Sequence, residues 1–368
     1  GRVPRGENVA VEQQANALAR AGMDVVRLSR YTDREANSAL FTLRSAAQVL
    51  TGLDTRGVTS KVRSLSPDIV HVHNLSPNFG SRWVRQLDVP SLVTIHNFRF
   101  GCANGLLLRD GLLCTKCLSG SSFNATRHAC YQDSRLKTLP WSLSRPLGAS
   151  LGQSLRSFTV RIAQTDRVKE VLESMYGESS RVELIPGFVE EYHHGISDPP
   201  EQPRFVFVGR NTSEKGLGGL LSTWPAGWCL DVIGAERSDF KRRNVPEGVN
   251  FLGVQNREWI RRKMPSYSGI VFPGLAWEGA IPLVLREALE AGLPIVGRQG
   301  SAADGLLVRR NVGATYADAD ENSLRSALIE VVARGPEVRF SARQMFFDEM
   351  SGETWTHSMI SLYQSMYK

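Results

Sequence analysis

Apolar and polar positions of the first half alternate between helical and strand patterns. Residues 9–21 are rich in Ala, Gln and Leu and end at Gly22, which predicts a helix, and residues 166–176 predict another. Short apolar runs opened by turn residues are typical of buried parallel strands. They predict strands at residues 23–28, 69–73, 91–95, 158–164 and 182–185.

The second half again alternates strand and helix patterns, beginning with a strand predicted from the apolar run at residues 204–208, which is followed by Gly209. Further strands are predicted at residues 229–233, 249–252, 269–272 and 293–296, and helices at 217–222, 256–264, 283–291 and 321–333. Strands that alternate with helices over both halves predict an α/β protein with two doubly wound parallel sheets, whose ligands bind at the carboxyl ends of the strands.

Proline and glycine mark the division between the halves. Residues 186–203 hold Pro186, Pro199, Pro200 and Pro203, which is typical of an interdomain linker. We expect a first domain at 1–187 with a Cys-rich insertion at about 100–134, a second at 188–345, and a C-terminal helix at 346–368 that packs back on the first. The chain opens directly on a helical pattern, so the first strand expected of such a domain is predicted to be absent.

Composition narrows the class of protein. Hydrophobic residues make up 42% of the chain and charged residues 22%, as in a soluble globular protein. No run approaches the ~18 apolar residues of a membrane span, and the opening residues lack the apolar core of a signal peptide. Cytoplasmic residence is therefore expected.

The charge is unevenly distributed. Residues 1–165 hold 21 Lys and Arg against 10 Asp and Glu, a balance of +11, whereas the remainder holds 23 against 27, a balance of −4. The first half is expected to meet an anionic membrane surface or phosphorylated acceptor, with the alternative of a merely solvated Arg-rich surface. Nucleic acid is disfavoured because aromatic-interleaved RNA motifs are missing. Candidate contacts are Arg82, Arg85, Arg127, Arg135 and Lys137.

The segment from Gly209 to Gly216 follows the first predicted strand of the second half. It supplies a flexible turn and two cations, Arg210 and Lys215, where a bound diphosphate would meet strand ends and a helix N-terminus. The alternative is a pair of solvated loop cations. Since Gly-x-Gly-x-x-Gly is missing from this segment, a nicotinamide or flavin dehydrogenase is disfavoured.

A second motif spans residues 273–288. A strand is followed by a Gly- and Pro-rich turn and by a helix that starts near Pro282, so the positive helix end forms a second anion site. Glu278 can accept hydrogen bonds from sugar hydroxyls, and Glu287 can hold a ribose diol. The alternative for Glu287 is an ordinary exposed helix residue.

These motifs, in this order, resemble the bacterial family-4-type retaining glycosyltransferases of glycosyltransferase group 1. The resemblance covers nearly the whole chain and includes Gly6-Glu7-Asn8 and the runs 67–74, 94–97 and 102–131. It implies the GT-B architecture, in which two Rossmann-like doubly wound domains face each other across a cleft. It also implies a retaining, hexosyltransferase-type enzyme that moves a sugar from a UDP-sugar to a glycan or lipid-linked acceptor in cell-surface polysaccharide or glycoconjugate synthesis.

The resemblance also implies residue roles. Arg210 and Lys215 would bind the donor diphosphate, Glu287 the ribose, and Glu278 with the amides of Gly279 to Ile281 the transferred sugar. His96 would line the acceptor side and join Arg210, Lys215 and Glu278 as a catalytic residue. The remaining implied contacts are Gly6, Gly209, Ala280, Pro282 and Leu283 for the donor, and His73, Asn74 and Asn97 for the acceptor. Catalysis would need no metal cofactor, so Asp318 and Asp320 are expected to cap a helix.

Two departures from the family pattern keep other functions open. Eight residues separate Glu278 from Glu287, where the family usually has seven, and Pro186-Gly187-Phe188 replaces the customary Pro-Asn-Gly. The alternatives are a degenerate protein that binds a sugar nucleotide without turnover and a nucleotide-sugar epimerase of the same architecture.

Four of the five cysteines fall in the insertion: Cys102, Cys114, Cys117 and Cys130. In a reducing compartment this clustering favours one structural zinc ion over disulfides, with His128 as a substitute ligand. The alternative is four idle thiols, and Cys229 is expected in the core. His71 and His73 share a strand face, where packing is favoured over a metal pair.

Overall fold

The computed structural model of the protein describes residues 6–30, 39–54, 56–177, 180–193, 195–240, 245–274 and 279–367. The chain divides into two compact units. The first comprises Gly1–Pro186, Glu278–Ala280 and Thr356–Lys368, and the second Gly187–Trp277 and Ile281–Trp355.

The first unit is built on a parallel sheet, as its apolar runs predict. Within the described residues this sheet has four strands in the order β1-β2-β5-β6. Its central strand β2 is buried along its whole length, which explains the continuous apolar sequence. The elements before β6 are α1 Gly6–Arg20, α2 Ala39–Thr51, α3 Val58–Leu65, β1 Val70–His73, β2 Ser91–Thr94, β3 Leu108–Arg109, β4 Leu112–Leu113, α4 Lys116–Ser119, α5 Phe123–Arg127, α6 Arg135–Ser144, α7 Leu151–Ser154, β5 Val160–Ala163 and α8 Asp166–Tyr176; β6 is Val182–Leu184.

The strand predicted at residues 23–28 is wrong. These residues follow α1 without joining the sheet, and Val26 is 59% exposed. An apolar run becomes a strand only where a neighbouring strand satisfies its backbone and its side chains find a core. Neither condition can be read from the run itself.

A two-stranded hairpin lies inside the Cys-rich insertion. Its strands β3 and β4 pair antiparallel, and the connecting residues Asp110 and Gly111 both have positive φ, 52° and 76°. Asp-Gly is the usual sequence of such a turn, because both positions need the left-handed region. The hairpin signal was therefore present in the sequence, although only a Cys-rich insertion was predicted at about 100–134.

The second unit is also a parallel α/β unit, with six strands among its described residues in the order β12-β11-β10-β7-β8-β9. Strand β12 was missed by the sequence prediction because its four residues include Gly313 and Ala314, which carry a weak strand signal. The elements are β7 Arg204–Val208, α9 Leu217–Ser222, β8 Cys229–Ile233, β9 Val249–Gly253, α10 Arg257–Lys263, β10 Gly269–Phe272, α11 Leu283–Glu290, β11 Ile295–Arg298, α12 Asp304–Arg310, β12 Gly313–Tyr316 and α13 Glu321–Met345. The last helix, α14 Gly352–Ser365, begins in this unit and belongs to the first unit from Thr356 onward.

Side chains of successive strand residues enter two separate cores. Val206 packs in a cluster with α11 and α12, whereas Phe205 and Phe207 pack in another with α9 and α13. Helices thus cover both faces of this sheet, which confirms the doubly wound arrangement. Cys229, expected in the core, is half-buried at the start of β8.

Helix α13 bears out the predicted cap at its start. The Asp320 carboxylate accepts a hydrogen bond of 3.0 Å from the backbone N–H of Ser323. The helix continues beyond the predicted end at residue 333, but Gly335 breaks its geometry with φ 47° just before Pro336. The predicted end was wrong, and residue 333 lies two residues before this break inside a longer helix.

Within the described ranges, no helix is both long and apolar enough to cross a bilayer.

Candidate functional site

The loop after β7 carries the two predicted phosphate-binding cations. Gly209 donates its N–H to Ile233 O at 2.9 Å, and the chain then turns through a short 3-10 helix, Ser213–Lys215. Arg210 is exposed. The Lys215 ammonium lies 5.9 Å from the centre of the Phe272 ring, within the range of a cation–π contact.

Gly216 fixes the path of this loop. Its φ is 72°, and a Cβ at this position would lie 2.3 Å from Pro273 O. Only glycine fits both the left-handed conformation and the close approach of the loop after β10. The structure therefore brings together two segments that the sequence analysis identified separately, the Lys215 loop and the start of the 273–288 motif.

Helix α11 begins after Pro282, as predicted. No side chain of the described residues caps this end by a hydrogen bond, and its first turn holds no acidic residue. Ile281 is buried in the core and Leu283 is half-buried. Among the described residues, the positive end of this helix dipole is therefore not neutralised by a capping side chain or by an acidic residue of the first turn. Glu278, the sugar ligand expected beside it, lies outside the described residues.

Glu287 is buried rather than exposed, with 4% of its surface accessible. Its carboxylate pairs with Nε of Arg257, the first residue of α10. The Nη2 atom of Arg257 is buried and makes no hydrogen bond to the described residues. Sequence analysis missed Arg257, although a cation at the start of the helix that follows β9 was a signal of the same kind as Arg210, which follows β7.

Glu290, one turn further along α11, has an entirely different environment. It is fully buried and accepts hydrogen bonds from the backbone amides of Tyr192 and His193, both at 2.9 Å. Arg261 and Arg343 lie at 3.2 and 2.9 Å from its carboxylate. Burial by itself would raise the pKa of Glu290, but the hydrogen bonds, led by that of the His193 side chain, lower it to about 2.

The four predicted acceptor-side residues lie together at the ends of β1 and β2. Nδ1 of His73 is 2.9 Å from Nε2 of His96, and the Asn97 amide donates to Asn74 Oδ1 at 3.3 Å. They meet because β1 and β2 are parallel neighbours, so their carboxyl ends lie at the same sheet edge. His96 is 7% exposed. The roles of these four residues stay predictions.

His71 extends this group along β1. Its ring lies 4.3 Å from that of His73, its Nδ1 is 2.8 Å from the Tyr363 hydroxyl, and its Nε2 is 2.7 Å from Thr94 Oγ1. Burial, and then the neighbouring histidine, hold the pKa values of His71 and His73 well below the ordinary range. These strand-face histidines are thus neutral at physiological pH and packed, as the sequence analysis favoured.

Gly279, which belongs to the first unit, lies against the end of β2. A Cβ there would come within 2.6 Å of the Asn97 nitrogen and of the His96 carbonyl carbon. Glycine is therefore required at this position. Of the remaining donor candidates, Ala280 is half-buried and Gly6 is the first residue of α1.

The four cysteines of the insertion are all free thiols and half-buried. Burial and, after it, the thiols of Cys102, Cys130 and Cys114 together raise the pKa of Cys117 to about 11, so the four share one neighbourhood. Among the described residues, however, no three His, Cys, Asp or Glu side chains are grouped closely enough to hold a metal ion. The exposed His128 is in the same insertion. The zinc site stays a prediction.

Sequence comparison identifies the family of both halves. A family model described as Glycosyltransferase Family 4 matches residues 4–191, about half of the chain. The chain belongs to glycosyltransferase family 4. A second model, Glycosyl transferases group 1, matches residues 202–334 of this glycosyltransferase. No curated protein sequence matches the chain.

Solved structures share the fold of the family 4 chain at low identity. The lipopolysaccharide outer core galactosyltransferase WaaB has a TM-score of 0.63 and 14% identity, covering 98% of this chain and 96% of that one. Sucrose-phosphate synthase from Thermosynechococcus elongatus has a TM-score of 0.62 and 15% identity, and the match covers 98% of this chain and 94% of that one. HepE from Anabaena, in complex with UDP-glucose, has a TM-score of 0.60 and 13% identity, and the match covers 99% of this chain and 97% of that one. The fold is therefore GT-B, with two Rossmann-like domains.

Proposed function

We propose that this glycosyltransferase is a retaining enzyme of the hexosyltransferase type. It transfers a sugar from a UDP-sugar to a glycan or lipid-linked acceptor in cell-surface polysaccharide or glycoconjugate synthesis. The observation that carries the proposal is the packing of the Lys215 loop against Pro273 at the carboxyl ends of β7 and β10. This arrangement supplies cations and backbone amides where a doubly wound sheet binds phosphates.

In this mechanism the second unit stabilises charge on the leaving nucleoside diphosphate. Arg210, Lys215 and the start of α11 would stabilise the negative charge as it develops, and the packing of Gly216 against Pro273 fixes the path of the loop that carries the two cations. Retention follows if the acceptor oxygen bonds to the anomeric carbon on the same face from which the diphosphate leaves, while a donor phosphate oxygen takes the proton of the acceptor hydroxyl. His96 fits a supporting role, because both its ring nitrogens are already hydrogen-bonded.

The choice of a UDP-sugar is supported by the HepE complex with UDP-glucose, a protein of similar fold. The buried pair of Glu287 and Arg257 would meet the ribose, with the carboxylate accepting from the diol and Nη2 of Arg257 as an additional donor. A thermal-shift series with UDP-, GDP- and ADP-sugars tests this choice. A donor at 100 times its Kd adds roughly 2.7 kcal/mol to the free energy of unfolding.

Turnover is tested by release of UDP with and without candidate acceptors. Acceptor-dependent UDP release supports transfer, whereas a changed sugar configuration with no acceptor present would identify an epimerase. Binding without either reaction would identify a degenerate sugar-nucleotide-binding protein. A product whose anomeric configuration is inverted would contradict retention.

The proposed place of action is the inner face of a membrane, where the protein binds peripherally from the cytoplasm. Leu136 is 83% exposed between Arg135 and Lys137, which are exposed as well. An apolar side chain flanked by cations suits an anionic lipid surface, where each cation contributes about 1 kcal/mol. Arg127 is exposed too, whereas Arg82 and Arg85 donate to the carbonyls of residues 147 and 148 and so stabilise a loop.

Vesicle co-sedimentation tests this placement. Recovery should rise with the fraction of anionic lipid, fall with added salt, and fall when Arg135 and Lys137 are both changed to Gln. The matched control changes Arg167 and Lys169, two cations of α8 in the same unit. Equal recovery with neutral and anionic vesicles would contradict the proposal.

We also propose that Cys102, Cys114, Cys117 and Cys130 hold one structural zinc ion. The support is a set of four free thiols in one insertion, the donor set that structural zinc prefers. Metal analysis of purified protein should give one zinc per chain, and a chelator should lower the melting temperature. Zinc-free protein whose melting a chelator leaves unchanged would remove the site.

A further inference from the structure

Gln164 lies directly after β5, buried beside the end of β2 with 1% of its surface accessible. Its side-chain nitrogen Nε2 is 2.9 Å from Ile95 O and 3.1 Å from Nδ1 of His96. A backbone carbonyl oxygen only accepts hydrogen bonds, so the NH₂ group of Gln164, and not its oxygen, must face Ile95. The orientation of the amide is thereby fixed, and its second N–H points at His96.

This N–H determines where His96 carries its proton. Nδ1 of His96 must accept, so the neutral ring is protonated at Nε2. That Nε2 lies 2.9 Å from Nδ1 of His73. His96 therefore donates to His73, which in turn carries its own proton on Nε2. The hydrogen bonds run in one direction, from Gln164 through His96 to His73.

We propose that Gln164 is a positioning residue that sets the tautomers of His96 and His73, so that His73 presents an N–H to a substrate oxygen. The catalytic meaning rests on the proposed function, which assigns both histidines to the acceptor side. The tautomers of His96 and His73 depend only on hydrogen bonds within the protein, so they can be measured without any substrate.

Stability alone does not account for Gln164. Its Oε1 atom is buried and has no hydrogen-bond partner in the part of the chain that the structure describes. A buried unsatisfied acceptor destabilises the folded state. The NH₂ group, by contrast, makes two bonds. The value of glutamine at this position therefore lies in the donor that it directs at His96.

His71 shows what happens without such a donor. Its two nitrogens face the hydroxyls of Tyr363 and Thr94, and a hydroxyl can either donate or accept. Neither tautomer of His71 is imposed by these partners. Gln164 therefore determines the tautomers of His96 and His73 alone, because among the described residues only these two rings are connected to it by nitrogen-to-nitrogen hydrogen bonds.

The test is nitrogen-15 NMR of histidine-labelled full-length protein, recorded without substrate at a pH where the rings are neutral. In the wild type we expect His96 and His73 both to be protonated at Nε2. Gln164→Glu replaces the donor with an acceptor, so we expect His96 to become protonated at Nδ1, either as the other neutral tautomer or as an imidazolium. Wild-type His96 protonated at Nδ1, or unchanged tautomers in the variant, would overturn the proposal.

Gln164→Met removes the amide, and Gln48→Met is its control. Gln48 is a second buried glutamine of this unit, which donates to Asn78 O at 3.2 Å. We expect Gln164→Met to mix the His96 tautomers and lower sugar transfer by about 10-fold or more, and Gln48→Met to keep the wild-type tautomers. If Gln164→Met mixes the His96 tautomers but sugar transfer stays at the wild-type rate, Gln164 does set the tautomers. The acceptor-side role of His96 and His73 would then be contradicted. A Gln164→Met protein with the wild-type tautomers would contradict the positioning itself.

Discussion

The carboxyl ends of the strands carry different chemistry in the two units. In the first unit, a hydrogen bond joins His73 to His96, the His71 ring lies 4.3 Å from that of His73, and burial holds the pKa values of His71 and His73 well below the ordinary range. In the second unit, the corresponding sheet edge carries fixed charges, Arg210 and Lys215. A diphosphate needs permanent cations, whereas an acceptor hydroxyl needs oriented hydrogen bonds without a competing charge. The difference therefore agrees with a division into donor and acceptor sides.

The largest effect that we predict is a loss of stability in the second unit, where Glu290 pairs with buried arginines. Glu290→Gln leaves Arg261 without its buried carboxylate and Arg343 with Glu191 alone, and should lower the free energy of unfolding by about 3–5 kcal/mol. Urea denaturation measures the loss. Glu330→Gln, which affects an exposed side chain on α13, is the control. A loss below about 1 kcal/mol would show that the network contributes little.

The next effect concerns the cations themselves. Arg210→Ala and Lys215→Ala should each lower sugar transfer by at least ~10²-fold, because a preorganised charge is removed from the developing anion. Arg325→Ala, on the exposed face of α13, should leave the rate unchanged. Steady-state rates of UDP release measure all three variants. Wild-type rates in the Arg210 and Lys215 variants would end the diphosphate assignment.

A smaller effect separates donor binding from the chemical step. Glu287→Gln keeps the shape of the side chain but weakens its pairing with Arg257, so the KM for the donor should rise roughly 10-fold while kcat changes less. Arg257→Gln should resemble it, since both belong to one buried pair. A fall in kcat with an unchanged KM would contradict a ribose role for the pair.

The smallest effect is the pH dependence of stability, which differs between the units. The pKa values of His71 and His73 lie well below 6.5, so the unfolded chain binds more protons and stability falls as the pH drops below about 6.5. Glu290 has a pKa of about 2 against an ordinary 4.5, so its contribution is present above 4.5 and is lost as the pH falls towards 2.

Denaturation at pH 7.5, 5 and 3 resolves these two windows. His71→Gln should flatten the decline between about pH 6.5 and 5, by on the order of 1.4 kcal/mol for each unit of pKa shift. Glu290→Gln should leave that range unchanged and flatten the decline at lower pH. An unaltered profile in His71→Gln would show that the histidines do not control acid stability.

The sequence by itself determined much of this protein. Local patterns were enough for the bounds of β7, β8 and α8, for the Asp320 cap, and for the motif order that indicates family 4. Hydrophobic period, turn residues and caps act within a few residues of the chain, so one sequence suffices to read them. The parallel order of strands also explains why His73 and His96, at two strand ends, could be expected in one place.

Only the tertiary structure decided which polar side chains meet. Arg257 and Glu287 are 30 residues apart, and Gln164 and His96 are 68 apart. No periodicity connects such pairs, because they depend on how helices and strands pack. The same reason explains the wrong strand prediction at residues 23–28, whose apolar pattern needed a neighbouring strand that the described residues do not provide. Interactions between residues close in the sequence determine the helices and strands. Packing between distant segments determines which polar side chains are partners and how the histidines are protonated.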